Sequence, residues 1–400
     1  MKGEKKKETE KKKRKKMNIQ HKKKTIPVIT WISKTFIDLV VPRNINYMWN
    51  WGSIIFLVLI IQIITGILLA THYAPISIMA FSSVESIMRD VTNGWLIRYT
   101  HSNGASLFFI GIYMHISRGM YYGSYVKPRE KAWIVGVILI FILMATAFIG
   151  YVLPWGQMSY WGATVITNML SSIPYIGKEI VNWLWGGYSV DNATLNRFFA
   201  FHFVLPFILL AVSIIHIEFI HVHGANNPIG VKINIDTIYF QPYLAIKDIY
   251  GYMIIVIIFI ILIGYYPNLL GHSDNYIEAN PLVTPAHIVP EWYFLFAYGI
   301  LRSIPSKLGG VIALVGSVVI IAIIPYIHRS YIKSNKYRIG GEIIYWNIIV
   351  TFIILTWIGG KSVEDPYIKI GQISTIYYYI IFIINIIVSK IDDILMYKVK

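Results

Sequence analysis

Two apolar stretches of the sequence each carry a pair of histidines with the same spacing. The pairs are His101 with His115 and His202 with His216, and the members of each pair are fourteen residues apart. In a left-handed bundle with a period of about 3.5 residues, this spacing puts both imidazoles on one helix face, about 21 Å apart along the axis. An imidazole inside a membrane is costly without a partner, so each indicates either function or hydrogen-bonded packing.

The two stretches are predicted to run in the same direction, because one other apolar span separates them. His101 then lies level with His202 near one membrane side, called side P, and His115 lies level with His216 near the opposite side, called side N. Two imidazoles from facing helices can bind one haem iron as its axial ligands. The spacing therefore predicts two stacked haems that transfer electrons, since filled axial positions leave no open site for oxygen.

Glycines with the same spacing occur in the neighbouring spans. Gly52 and Gly66 are fourteen residues apart, and so are Gly136 and Gly150. Glycine allows helix backbones to approach closely, which a flat macrocycle between helices requires. The span directions place Gly52 and Gly136 near the N-side pair, and Gly66 and Gly150 near the P-side pair. Ordinary packing of small residues between helices is the alternative.

Two arginines, Arg98 and Arg118, flank the predicted haem levels. A guanidinium group pairs well with a carboxylate, so both arginines are predicted to bind haem propionates. The alternative is that each extends along its aliphatic stem to the membrane surface.

The rest of the sequence supplies the helices that would hold these residues. The chain of 400 residues is 56% hydrophobic and 14% charged, which is too apolar for an ordinary soluble domain. Apolar segments of about 20 residues predict an all-α membrane protein with eight transmembrane helices, of which the first four form the haem-binding bundle. These segments are 53–73, 104–122, 132–153, 198–220, 250–266, 309–327, 343–360 and 374–390.

The positions of the charged residues predict the orientation of the chain in the membrane and help to define its parts. Loops on the side of the basic N-terminal tail carry more Lys and Arg than the opposite loops, so the positive-inside rule puts both termini on side N. The predicted parts are a disordered basic tail (1–24), a surface amphipathic segment (25–45) with a helix ending at Pro42, the bundle (46–225) and a C-terminal four-helix region (226–400). The tail holds thirteen Lys or Arg and three Glu, and it either binds anionic lipid or is simply solvated.

Long motifs extend over most of the chain. They are WNWGS and QIITG in the first span, SRGMYYGSY after His115, GYVLPWGQMSYWGATVITN at 150–168, HGANNP after the fourth span, PYLAIKD at 242–248 and PEWYFLFAYGILRSIPSKLGG at 290–310. From about residue 40 onwards the sequence resembles the cytochrome b subunit of the respiratory cytochrome bc complex (complex III).

The resemblance implies two haem b groups and a quinol–cytochrome c oxidoreductase that uses ubiquinol and ubiquinone. His101 and His202 correspond to the ligands of the low-potential haem, and His115 and His216 to those of the high-potential haem. The equal spacing of the two pairs is similar to the respiratory type rather than the chloroplast type.

The resemblance also implies a quinol-oxidation pocket on side P. Glu291 of the PEWY motif would accept a proton, and Pro290 would restrict its backbone. Tyr151, Gly162 and Tyr298 correspond to the wall of this pocket. Without the resemblance, Glu291 would be interpreted as an ordinary loop carboxylate.

A quinone-reduction pocket is implied on side N. His221, Asp248, Lys247 and Asn50 would hydrogen-bond a quinone and supply protons. An interfacial ion pair is the alternative role for Lys247 and Asp248. Many family members have serine at the position of Ala225, so a hydroxyl contact is not expected there.

The resemblance implies partners that supply what this chain lacks. With no cysteine and no c-type haem motif, the chain would need a Rieske iron–sulfur protein and a c-type cytochrome subunit, with accessory subunits in a homodimeric complex. Quinone and membrane lipids are further expected partners, and nucleic acid is not. The mitochondrial inner membrane is the expected location, with a bacterial plasma membrane as the alternative.

Two other functions remain open from the sequence. A dihaem membrane anchor of another oxidoreductase would need the four histidines but not the PEWY motif. A proton-coupled transporter could use intramembrane histidines as a relay without haem, and would be expected to have broken helices near the midplane.

Overall fold

The structure is a computed structural model that describes residues 26–231 and 235–398. The predicted basic tail lies outside the described residues. The described chain is mostly helical. Its helices and strands are α1 (Pro27–Ile32), β1 (Val40–Pro42), α2 (Trp51–Ala70), α3 (Ala80–Arg89), α4 (Gly94–Tyr121), α5 (Glu130–Val152), α6 (Gln157–Asn168), α7 (Gly177–Trp185), α8 (Asn192–His223), β2 (Thr237–Tyr239), α9 (Ala245–Tyr265), α10 (Leu295–Ser303), α11 (Lys307–Ile327), α12 (Ile339–Gly359) and α13 (Tyr367–Lys398).

A long helix lies at each of the predicted apolar segments. By length and composition, six helical stretches in the described residues could cross a membrane. Helices α4 and α13, at the second and last predicted spans, have 28 and 32 residues but are not among those six. The six stretches are Tyr47–Ala70, Glu130–Val152, Asn192–His223, Phe240–Tyr265, Lys307–Ile327 and Ile339–Gly359.

The predicted amphipathic helix is shorter than expected. Helix α1 continues as a π-helical turn that ends at Ile37, and β1 then pairs with β2 in antiparallel register, with Val40 opposite Tyr239. The two valines of β1 are β-branched and suit a strand, and the strand ends at Pro42, which has no N–H to donate. A strand therefore replaces the end of the predicted helix.

The histidine-bearing helices belong to a bundle with two close pairings. Helix α2 packs against α4, and α5 packs against α8. Their apolar faces meet in a buried cluster that includes Val58, Phe109, Leu143 and Leu209. Tyr293, from the C-terminal region, is buried in the same cluster. The bundle and the C-terminal region thus share a core, and the predicted boundary between them stays a prediction.

A second buried core lies among α10, α11, α12 and α13. A buried ion pair holds α13 against the start of α12. Arg338 Nε lies 3.3 Å from Asp392 Oδ2, and both side chains are almost fully buried. Asp392 also accepts hydrogen bonds from the backbone N–H groups of Gly340 and Gly341 at the start of α12. Arg338 is therefore a buried structural cation, although it belongs to one of the basic loops that the sequence places on side N.

Candidate functional site

The four histidines form the two predicted pairs. The ring centroids of His101 and His202 are 6.1 Å apart, and those of His115 and His216 are 6.4 Å apart. A metal–imidazole bond of about 2.0 Å and roughly 1.1 Å from nitrogen to ring centre predict about 6.2 Å for two rings on opposite sides of one metal. Both separations fit a bis-histidine iron site.

Hydrogen bonds orient the two P-side imidazoles. His202 Nδ1 lies 2.9 Å from the Thr146 carbonyl, and His101 Nδ1 lies 2.9 Å from Thr65 Oγ1. A carbonyl can only accept, so the proton of neutral His202 is on Nδ1. Thr65 donates its own proton to the Ile61 carbonyl and can accept from His101. Each Nε2 then keeps a lone pair, which is the arrangement that metal-binding histidines use.

On side N, an arginine contacts one histidine directly. Arg118 donates to His115 Nδ1 over 3.1 Å, and its guanidinium lies 5.0 Å from the centre of the Trp49 ring. Arg118 Nε and Trp49 Nε1 are buried without hydrogen-bond partners among the described residues. Two buried donors that lack acceptors suit carboxylates such as haem propionates. Iron ligation through His115 Nε2 would put the proton on Nδ1 and release Arg118 for such a pairing.

Trp49 was not predicted as a site residue. The only signal in the sequence is its place at the start of the WNWGS motif.

Each of the four glycines faces the histidine of its predicted level. The space they leave is occupied by imidazole rings, so their first role is to make room for the ligands. A β-carbon built at Gly150 would overlap the His202 ring, whereas one at Gly52 would be at an ordinary 3.4 Å from His115 Cε1. The contacts are Gly52 with His115, Gly136 with His216, Gly66 with His101 and Gly150 with His202.

A cavity of about 580 Å³ extends beside the P-side pair. Its walls include His101, His202 and Arg98, and also Tyr151 and Glu291. The cavity thus connects the P-side histidine pair, His101 and His202, with Glu291, the predicted proton acceptor. Its size and mainly apolar walls are typical of small-molecule sites.

Burial raises the pKa of Glu291 to about 7, although a hydrogen bond from Tyr151 and the charge of Arg98 act in the opposite direction. The carboxylate follows Pro290 and immediately precedes a 3-10 turn formed by Trp292–Phe294. A pKa near neutrality is the range in which a carboxylate can both take up and release a proton efficiently.

The other predicted wall residues are farther from this cavity. Tyr298 donates to the Ile288 carbonyl over 3.4 Å, and the Arg302 guanidinium lies 5.7 Å from the centre of its ring. A β-carbon at Gly162 would point into open space. Among the described residues, Tyr298, Gly162 and Pro290 do not line the cavity.

On side N, the structure brings Asn50, Lys247 and Asp248 together. Asn50 is buried and donates to the Lys247 carbonyl over 3.0 Å. Lys247 Nζ donates to the Ile45 carbonyl over 2.7 Å, so the ammonium is turned towards that backbone. Asp248 accepts a hydrogen bond from Ser53.

His221, the fourth predicted residue of this pocket, lies near the end of α8. Its electrostatic partner is Glu218, which accepts a hydrogen bond from the Trp31 indole of α1. His221 is thus placed beside Glu218, and its predicted grouping with Asp248 stays a prediction.

Comparison with known proteins identifies the family. The family model described as Cytochrome b/b6/petB matches residues 36–224, and the model described as Cytochrome b(C-terminal)/b6/petD matches residues 278–379. A curated "Cytochrome b" from Chondrus crispus is 54% identical over 371 residues, which are 92% of this chain and 97% of that protein.

The chain belongs to the cytochrome b family.

This result confirms the resemblance expected from the motifs. The chain is also similar to a chain of a solved structure, "Hyperthermophilic respiratory Complex III". The two match with a TM-score of 0.87 and 32% sequence identity, over 94% of this chain and 99% of that one. The region that matches the first family model contains all four paired histidines, and the region that matches the second contains Glu291.

Proposed function

We propose that this chain is the membrane subunit of a respiratory complex III that oxidises quinol and reduces quinone while moving protons across the membrane. One observation carries the proposal. The two histidine pairs are spaced for bis-imidazole ligation, and one cavity connects the P-side pair to Glu291. Family membership and the likeness to a chain of a respiratory Complex III support it.

Two haem b groups would bind at the histidine pairs. His101 and His202 would hold the low-potential haem, and His115 and His216 would hold the high-potential haem. Haem iron, when bound, supplies reversible one-electron transfer. The chain's contribution is to fix the rings at two depths and to offer buried donors, Arg118 among them, to the propionates. Arg98 lines the P-side cavity and would serve the other haem in the same way.

Quinol oxidation would take place in the P-side cavity. A quinol that gives up two electrons also gives up two protons, and Glu291 would accept one of them. Tyr151 donates a hydrogen bond to the Glu291 carboxylate and would orient it towards the cavity. Tyr298, Gly162 and Pro290 do not line this cavity, and we propose that they belong to a part of the quinol pocket outside it. An iron–sulfur partner would accept one electron. Haem groups held by the two histidine pairs would supply one-electron transfer towards side N for the other.

Quinone reduction would take place on side N. Asn50, Lys247 and Asp248 lie together at the start of α2 and α9, and His221 lies at the end of α8. Asp248 and His221 are groups that can deliver protons to a reduced quinone. Uptake on side N and release on side P would together build a proton gradient.

The proposed assembly is based on the family to which the chain belongs and on the likeness to a chain of a respiratory Complex III. All eight long helices of the described residues would cross the membrane, with both termini on side N. The sequence has no cysteine to bind an iron–sulfur centre. A Rieske protein, a c-type cytochrome and accessory subunits would complete a homodimeric complex. We place it in the mitochondrial inner membrane, with a bacterial plasma membrane as the alternative.

The test is Glu291→Gln in the assembled complex. We expect quinol oxidation to fall by about 100-fold or more, because the isosteric amide cannot accept the proton. In the parent, activity should rise with pH through about 7, since the raised pKa keeps Glu291 protonated below that value. This acid limb should disappear in the variant. Steady-state rates between pH 5.5 and 9 measure both effects.

Glu179→Gln is the matched control, because Glu179 is an exposed carboxylate on α7. It should keep the parent's rate and pH profile. If Glu291→Gln also kept them, Glu291 would not be the proton acceptor. A dihaem anchor of another oxidoreductase predicts that outcome, because it uses the histidines without Glu291.

A further inference from the structure

Helix α4 carries a second set of polar and aromatic contacts on a face separate from its histidines. Ser106, Phe109 and Tyr113 are spaced by three and four residues, so they form one stripe along the helix. The stripe lies between the depths of His101 and His115. None of these three residues is needed to bind iron, yet Ser106 and Phe109 are almost completely buried.

The stripe binds the two residues that follow Glu291. Trp292 Nε1 donates to Ser106 Oγ over 3.1 Å, and the Tyr113 hydroxyl donates to the backbone carbonyl of Tyr293. The Phe109 and Tyr293 rings stack with centroids 4.1 Å apart and planes 2° apart. The Trp292–Tyr293 dipeptide is thus held by two hydrogen bonds and one stacked pair, all from α4.

These contacts have a consequence for the carboxylate. Glu291 is joined directly to the Trp292–Tyr293 dipeptide, and the Tyr293 side chain is almost fully buried. The same helix carries His101, which lines the cavity that Glu291 faces. The position of the proton acceptor relative to the P-side histidine is therefore fixed through one rigid helix.

We propose that Tyr113 and Ser106 are positioning residues for quinol oxidation, which hold the Trp292–Tyr293 dipeptide so that Glu291 faces the P-side cavity. This inference rests on the proposed function of Glu291. In this proposal, α4 also aligns Glu291, the proton acceptor, with the His101–His202 pair, where the first electron would enter this chain.

Tyr113→Phe in the assembled complex is the direct test. The ring is kept, and with it the edge-on contacts with Phe296 and Phe352, but the donor to the Tyr293 carbonyl is lost. We expect kcat for quinol oxidation to fall by about two- to tenfold, the factor that one lost hydrogen bond gives. Haem absorbance per complex should stay unchanged.

The pH dependence of kcat is a second measurement, and a purely structural role of Tyr113 would leave it unchanged. A loosened dipeptide lets water reach Glu291, so its pKa falls from about 7 towards the ordinary carboxylate range. The acid limb of kcat should therefore move to lower pH in Tyr113→Phe. Ser106→Ala, which removes the other hydrogen bond, should shift it in the same direction and is the second variant if Tyr113→Phe does not assemble.

Tyr379→Phe is the matched control, because the Tyr379 hydroxyl also donates to a helix carbonyl, that of Ala313, over 2.5 Å. It should keep the parent's kcat and pH profile. Positioning is overturned if Tyr113→Phe behaves like this control, or if its rate falls only in proportion to lost haem with no shift of the acid limb. A fully active Glu291→Gln would instead overturn the proposed function itself.

Discussion

At the scale of single residues, the glycines beside the histidine rings differ in how closely a β-carbon at each would approach the ring. A β-carbon at Gly150 would overlap the His202 ring, whereas one at Gly52 would make an ordinary contact with His115. Gly150→Ala should therefore displace His202 and abolish most of the P-side haem absorbance, while Gly52→Ala should retain both haems. A redox-resolved difference spectrum of the purified complex measures the two components separately.

Gly264→Ala provides the control for this pair, because nothing lies within 4 Å of a β-carbon at Gly264. It should retain both components. Equal haem loss in Gly150→Ala and Gly264→Ala would show that helix backbone effects, rather than the ring contact, explain the result.

The sequence predicts the histidine and glycine levels well, because depth along a helix depends only on spacing and direction. It could not predict Trp49 or the contact between Arg118 and His115. Those depend on which way side chains turn between helices that are distant in sequence. Ser106 and Tyr113 were missed for a related reason, since each is an ordinary residue for a membrane helix until its partner in the PEWY motif is known.

At the scale of helices, the end of α13 depends on a buried charge pair. In Asp392→Asn, the guanidinium of Arg338 stays buried without its counter-charge. Breaking such a pair costs about 3–5 kcal/mol, so the free energy of unfolding of the C-terminal region should fall by that order. Thermal denaturation of the detergent-purified complex, compared with the parent, measures the change.

Asp365→Asn is the corresponding control. Asp365 pairs with Lys369 over 3.2 Å, but both side chains are mostly exposed. Exposed pairs contribute about 0–1 kcal/mol, so this variant should unfold close to the parent. Equal and small effects of the two substitutions would contradict the anchoring role of Asp392.

The long helices were predictable from apolar runs, and each overlaps its predicted segment, although α4 begins at Gly94, well before the predicted segment 104–122. The start of the chain was less predictable. Strand β1 forms because Val40 meets Tyr239, almost two hundred residues later, and no local pattern signals that pairing. The burial of Arg338 was missed for the same reason, because its partner lies on another helix.

At the scale of the whole molecule, the chain places two equivalent histidine pairs at two levels of one bundle. The pairing of α2 with α4 and of α5 with α8 brings a glycine beside each imidazole. The C-terminal region adds Glu291 to the P-side cavity and shares the bundle's core through Tyr293. This arrangement supports the proposed electron transfer from side P to side N.

The central claim is that two haems bind at these two histidine pairs, and a redox-titrated optical difference spectrum tests it most directly. The intact complex should show two b-type components with different midpoint potentials. His202→Ala should lose the low-potential component and keep the other, because His115 and His216 remain paired on side N. Absence of b-type bands in the parent, or both components intact in His202→Ala, would contradict the claim.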